Sequence, residues 1–174
     1  MKVFFLTIAL SLFSILQAEE STSSEEALGG TYHVHAVVSD KEIPEEKRPK
    51  SLSPVTFSLL NDGNVEASFT FRKEGKCKET KAKLEKTENP NEFTMDEGKH
   101  HVYVTKTSEP NSWIVYCEGE LMGKQVKWAK LLGASTEVDP EALKEYQEFI
   151  KEKGFNEKRI ISPKQEEACI PEDA

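Results

Sequence analysis

The side chains able to carry chemistry are few and scattered. His33 and His35 stand two apart, and His100 and His101 are adjacent. Two histidines at i, i+2 can share a metal, but a site needs further ligands, and no Cys, Asp or Glu at a suitable spacing completes one. Solvent-facing histidines and no metal site are expected. Cys117 is flanked by Tyr116 and Glu118 in an apolar run. A reactive thiol needs a cationic neighbour or a helix N-terminus, and a strand supplies no dipole, so no activated nucleophile is expected. Gly29-Gly30 and Gly63 read as turn glycines rather than a phosphate loop. Neither an enzyme nor a bound cofactor is expected.

The elements around these residues begin with a leader. Lys2 precedes an apolar run, Phe4 to Leu16, broken only by Thr7, Ser11 and Ser14. Gln17-Ala18 then offers a small residue before Glu19-Glu20. This pattern predicts a secretory signal peptide over 1–18, too short in its apolar part to span a bilayer. Removing 1–18 of the 174 residues leaves 156, one domain of ordinary size. It also removes one positive charge, Lys2, and no negative one, so the net charge moves from −8 to about −9. An acidic chain repels nucleic acid and anionic membrane surfaces, so neither is expected as a partner. Secretion brings the three cysteines into an oxidising compartment, where one disulfide is expected. Three pairings are open. Cys77 lies in a polar turn region, Cys169 in the tail and Cys117 in an apolar strand, where a free buried thiol is common. That favours Cys77–Cys169, pinning the tail to the domain.

Residues 19–28 are rich in Glu and Ser and read as a flexible N-terminus, leaving 29–174 as the folded domain. From Thr31 the pattern has period two: Tyr32, Val34, Ala36 and Val38 share one face. Lys41 to Ser53, charged and holding Pro44 and Pro49, is a long loop. Val55-Phe57-Leu59 and Val65-Ala67-Phe69-Phe71 flank Asn61-Asp62-Gly63-Asn64, a strong hairpin signal. Further strands run over Lys76 to Thr87, around Phe93 and Met95, and over His100 to Lys106, Trp113 to Leu121 and Gln125 to Leu132. Eight short strands with turn signals between them argue for a sandwich or a closed barrel. A helix follows: Asp139 suits the N-cap, Pro140 the first turn and Gly154 the stop. Its stripe of Leu143, Tyr146, Phe149 and Ile150 is expected to pack on the outside of the sheet. Arg159 to Ser162 reads as a short edge strand.

Eight strands, one helix and a tail cysteine, in that order, resemble a lipocalin. Gly30-Thr31-Tyr32 stands where lipocalins carry Gly-x-Trp. Tyr116 to Leu121, Gly123-Lys124 and Ala129 to Gly133 resemble the last hairpin of the tear and von Ebner's gland lipocalins, and the Gly-Thr-Tyr opening is similar to that of the marsupial late lactation proteins. The resemblance implies an all-β fold: an eight-stranded antiparallel up-and-down β-barrel with one C-terminal α-helix packed outside. Two positions depart from the family pattern. Tyr32 replaces the usual Trp, and Ala134 replaces the usual Arg, so the closed end of the barrel must be built in another way.

A barrel of this strand number can enclose one small ligand. Alternation proposes Val34, Ala36, Val38, Phe57, Phe69, Phe71, Val102, Val104, Val115 and Cys117 as its wall. On the last strand Val126, Trp128 and Lys130 share one face, and Lys127, Ala129 and Leu131 the other. The resemblance implies that Trp128 and Lys130 point inward. An ammonium near the barrel mouth would then meet a ligand carboxylate, its stem lying along the wall. The function so implied is a secreted carrier of an apolar small molecule, of fatty acid, retinoid or odorant type, in a glandular secretion such as milk. A protease inhibitor or defence protein acting through the loop Lys41 to Ser53, and a nutritive secretory protein, are the alternatives. A cell-surface receptor or a weak homodimer would engage the outer surface of such a carrier.

Overall fold

The computed structural model describes residues 28–48 and 50–171. The expected signal peptide, residues 19–27 of the flexible stretch, Pro49 and the last three residues lie outside the described residues. Leu28, at the end of that stretch, is buried against the core.

The period-two segments form strands, as their alternation requires. They are β1 (Gly30–Ser39), β2 (Ser51–Leu52), β3 (Val55–Leu59), β4 (Val65–Lys73), β5 (Lys76–Lys86), β6 (Glu92–Met95), β7 (His100–Lys106), β8 (Ser112–Leu121), β9 (Lys124–Gly133) and β10 (Lys164–Gln165). Eight of them close into an antiparallel barrel in the order β1, β3, β4, β5, β6, β7, β8, β9. Closure rests on β1, which pairs with β3 from Gly30↔Phe57 to Tyr32↔Val55 and with β9 from His33↔Gly133 to Ser39↔Trp128. Two tight hairpins place Gly at the second central position. Glu74-Gly75 (φ 55° and 80°) and Met122-Gly123 (φ 52° and 77°) place both central residues at positive φ, the twist that matches paired strands. One seam is thin. β5 and β6 share only Glu85↔Thr94 and Lys86↔Phe93, because β6 is four residues long and β5 eleven.

The alternation on β1 breaks in the middle. Val34 pairs with Leu132 and Ala36 with Leu131, so His35 is an extra residue in a bulge. The bulge reverses the faces beyond it. Val34 packs inside the barrel, whereas Ala36 and Val38 pack outside. Two cores result, one on each face of β8 and β9. Inside lie Tyr32, Phe57, Val65, Phe93, Trp113 and their neighbours. Outside, Ile114, Tyr116, Ala129 and Leu131 meet the helix α1 (Pro140–Glu152).

Asp139 caps α1, its carboxylate accepting from the backbone N–H groups of Glu141 and Ala142. Ala142, Tyr146 and Ile150 make its deepest face, so the expected stripe is rotated: Leu143 and Phe149 sit at its margin. The Tyr146 hydroxyl donates to the Ala129 carbonyl at 2.9 Å. The tail returns along the barrel. The expected edge strand at Arg159–Ser162 is displaced: Ile161 makes a single bridge to Val37, and the paired residues are Lys164–Gln165, parallel to β2 in the long loop. Cys77 and Cys169 are joined, their Cα atoms 5.9 Å apart and 92 residues apart in sequence. Cys117 is free and buried. Among the described residues, no helix is long and apolar enough to cross a membrane.

Candidate functional site

The barrel has one filled end and one open end. At the filled end Leu28, Tyr32 and Trp113 are buried. The Tyr32 hydroxyl donates to the Gly29 carbonyl at 3.0 Å, its ring lies 6.1 Å from Phe57, and the Lys106 ammonium sits 5.9 Å from the Trp113 ring. Tyr32 and a Lys–Trp pair on β7 and β8 thus build this end. At the other end, beside the turns after β4 and β8, Phe71 and Met122 are exposed.

Between the two ends lies a cavity of about 290 Å³. Of the residues expected in its wall, Val34, Phe57, Phe69, Val102, Val115, Cys117, Trp128 and Lys130 line it. The remaining four do not. Ala36 and Val38 are on the outer face, because of the bulge at His35. Val104 is buried in the inner core below the cavity. Phe71 stands at the rim, its ring 6.2 Å from that of Phe69. The wall also includes residues the alternation had not singled out. Val55, Ala67, Ala82, Leu84, Met95 and Leu132 share parity with named neighbours and so carried a readable signal. Leu52 and Ser53 come from the long loop and carried none.

The wall is apolar apart from Ser53, Cys117 and Lys130. Lys130 sits between Trp128 and Leu132 on the inward face of β9 and opposite Val115 on β8. It is six residues from the start of β9 at the mouth and three from its end. The expectation that it lies near the mouth is therefore corrected: it enters low on the wall. No ion pair or hydrogen bond engages its Nζ among the described residues. The accessible surface it keeps borders the cavity. Burial pulls its pKa below the ordinary lysine range, with the nearby Cys117 opposing the shift weakly. The same burial pushes the Cys117 thiol up to about 11, against the pull of Lys130 and a hydrogen bond with Trp128.

Not all the histidines are solvent-facing, and that expectation is corrected for two of them. His35 and His100 are buried. His35 fills the bulge beside Gly133 and is hydrogen-bonded to Ser135. His100 points inward from β7, its ring 5.7 Å from that of Trp128 and its Nε2 3.5 Å from the Asp96 carboxylate. His33 and His101 are half-buried. Among the described residues no three His, Cys, Asp or Glu side chains converge as metal ligands.

With this geometry, the chain matches the Lipocalin / cytosolic fatty-acid binding protein family over residues 29–167. It is 52% identical to late lactation protein B of Notamacropus eugenii, covering 99% of each chain, and 39% identical to lipocalin-1 of Sus scrofa, covering 98% of each. Among solved structures it resembles the siderocalin Ex-FABP, described as functioning through dual ligand specificities, with a TM-score of 0.69, 17% identity and coverage of 82% of this chain and 97% of that one. At that identity the likeness concerns the fold. From the family match and the extent of these relationships, the chain belongs to the lipocalin family.

Proposed function

We propose that this protein is a secreted, non-enzymatic carrier that holds one apolar small molecule with an acidic head in the barrel, the head turned toward Lys130. The observation that carries this reading is a cavity of about 290 Å³ with an apolar wall and, low on it, one amine that has no ion-pair partner among the described residues. The volume is near the lower end of the ~300–1,000 Å³ typical of small-molecule sites, which suits a single chain or ring system. An ammonium in such surroundings is costly without a counter-charge. A carboxylate offsets that cost, and a bond of this charged type is worth about 1.5–3 kcal/mol. The relatives named late lactation proteins favour milk as the secretion.

The test compares palmitate with hexadecanol in the parent and in Lys130→Met. The parent should prefer the acid by about tenfold or more, the equivalent of 1.4 kcal/mol, and the variant should lose that preference. An equal affinity for acid and alcohol in the parent, or an undiminished preference in the variant, removes Lys130 as the anchor.

A further inference from the structure

The cavity brings together two groups that the carrier reading leaves idle as nucleophiles: a lysine amine and a thiol, facing the same apolar space from adjacent strands. Cys117 is on β8 one inward position from Val115, and Val115 is the direct cross-strand partner of Lys130. We propose that the cavity captures apolar aldehydes covalently and reversibly, as an imine between the aldehyde carbon and Nζ of Lys130.

The chemistry follows from the surroundings. The amine lone pair attacks the carbonyl carbon and the C=O pair moves to oxygen. The carbinolamine then loses the former carbonyl oxygen, together with both amine hydrogens, as one water, and a C=N bond remains. No oxidant or reductant takes part. An ordinary lysine amine is protonated at neutral pH and is no nucleophile. A lysine desolvated in an apolar pocket, with no carboxylate beside it, is the known exception. Lys130 meets both conditions among the described residues. The direction of its pKa shift also favours the free amine. Because imine formation releases water, a site that excludes water favours the product and slows its hydrolysis. The apolar wall holds the rest of the aldehyde, so the carbonyl is presented to the amine at high local concentration. The thiol is the weaker competitor, because burial keeps Cys117 protonated near neutral pH and the thiolate is its reactive form.

This inference rests on the carrier reading, and the experiment separates the two. The protein is incubated with one equivalent of hexadecanal and sodium cyanoborohydride, which fixes imines as secondary amines. The intact mass and the site of modification are then read, and displacement of an apolar fluorescent probe is measured in parallel without reductant. The expected result is probe displacement together with one hexadecyl group on Lys130, at a level at least about tenfold above any surface lysine; in Lys130→Met the cavity adduct is absent. Probe displacement with no adduct at Lys130, or with adducts spread over surface lysines, overturns the inference and leaves the carrier reading standing. If neither probe nor aldehyde binds the parent, both fall together.

Discussion

The imidazole Nε2 of His35 lies 2.7 Å from the main-chain oxygen of Ser135, one hundred residues away in sequence. The contact ties the bulge of β1 to the chain just beyond β9. A carbonyl oxygen accepts only, so this nitrogen carries the proton and donates. Burial lowers the pKa of His35, opposed by the bond to Ser135 and assisted by repulsion from His33. The folded value therefore lies below the ordinary imidazole value of about 6.5. Below that ordinary value the unfolded chain takes up the proton more readily than the folded one. The stabilising contribution is thus full above pH 6.5 and is lost as pH falls through the folded value. Urea midpoints should drop more steeply between pH 7 and pH 5 in the parent than in His35→Gln. Parallel slopes would rule out His35 as a source of the acid sensitivity.

The Cys77–Cys169 bridge closes a loop of 92 residues, for which chain entropy gives about 4–5 kcal/mol. Reduction, or the pair Cys77→Ser and Cys169→Ser, should lower stability by an amount up to that figure without unfolding the barrel. Equilibrium denaturation with and without reductant reads the difference, and non-reducing peptide mapping should recover Cys117 as the free thiol. A fully unfolded reduced protein would mean that the barrel depends on its tail far more than the two cores suggest.

The outer core makes its own demands. Ile150 is fully buried between α1 and the sheet, and Ile150→Ala should cost about 2–5 kcal/mol. Tyr146→Phe removes only the hydroxyl that donates to Ala129 and should cost about 1 kcal/mol. On the inner face of β8, Gly119→Ala is a matching test, because a Cβ there would strike the backbone oxygen of Lys99 and the inward His100 ring; about 1–3 kcal/mol is expected. Chemical denaturation should rank the three in this sense, and a neutral Gly119→Ala would show that β7 can yield there.

Phe69 and Val104 separate binding from folding. Phe69 lines the cavity while remaining 43% exposed, and Val104 is 4% exposed in the inner core without bordering the cavity. Phe69→Asp should therefore weaken an apolar fluorescent probe by about tenfold or more, some 1.4 kcal/mol, with little change in stability. Val104→Asp buries an unpaired carboxylate and should unfold the protein or severely destabilise it. Unchanged probe affinity in Phe69→Asp would remove that residue from the site.

The barrel and its helix were legible because their signals are local: alternation for the strands, Asp62-Gly63 for a hairpin turn, Asp139-Pro140 for the helix start. Most of the cavity wall followed from the same alternation. Ala36 and Val38 were misplaced because period two holds only while pairing is regular, and nothing in the run Val34 to Val38 announces the extra residue at His35. The depth of Lys130 depends on how β9 lies relative to the mouth, which a side-chain period does not encode. His35 and His100 were read as surface groups from their polarity, whereas Gly133 and Gly119 across the sheet leave room for their rings. Gly133 lies far from His35 in sequence, and Gly119 stands opposite His100 on the next strand.

Among the described residues, the thin seam between β5 and β6 leaves β5, from Lys76 to Leu84, without strand pairing on one edge. An edge of that length is a template for strand addition by another molecule, the first step toward aggregation. Lys76, Lys78, Lys81 and Lys83 all stand exposed along it. Lys81 and Lys83 lie beside Glu66 and Asp62, whereas Lys76 and Lys78 stand without such a partner among the described residues, and charged side chains along an edge disfavour its pairing with another copy. Replacing Lys78 and Lys81 with Thr should shorten the lag before amyloid-dye fluorescence appears, and an unchanged lag would show that the edge is guarded by other means. The lysines of β5 then serve as guards of an incompletely paired seam, a role distinct from any in ligand binding.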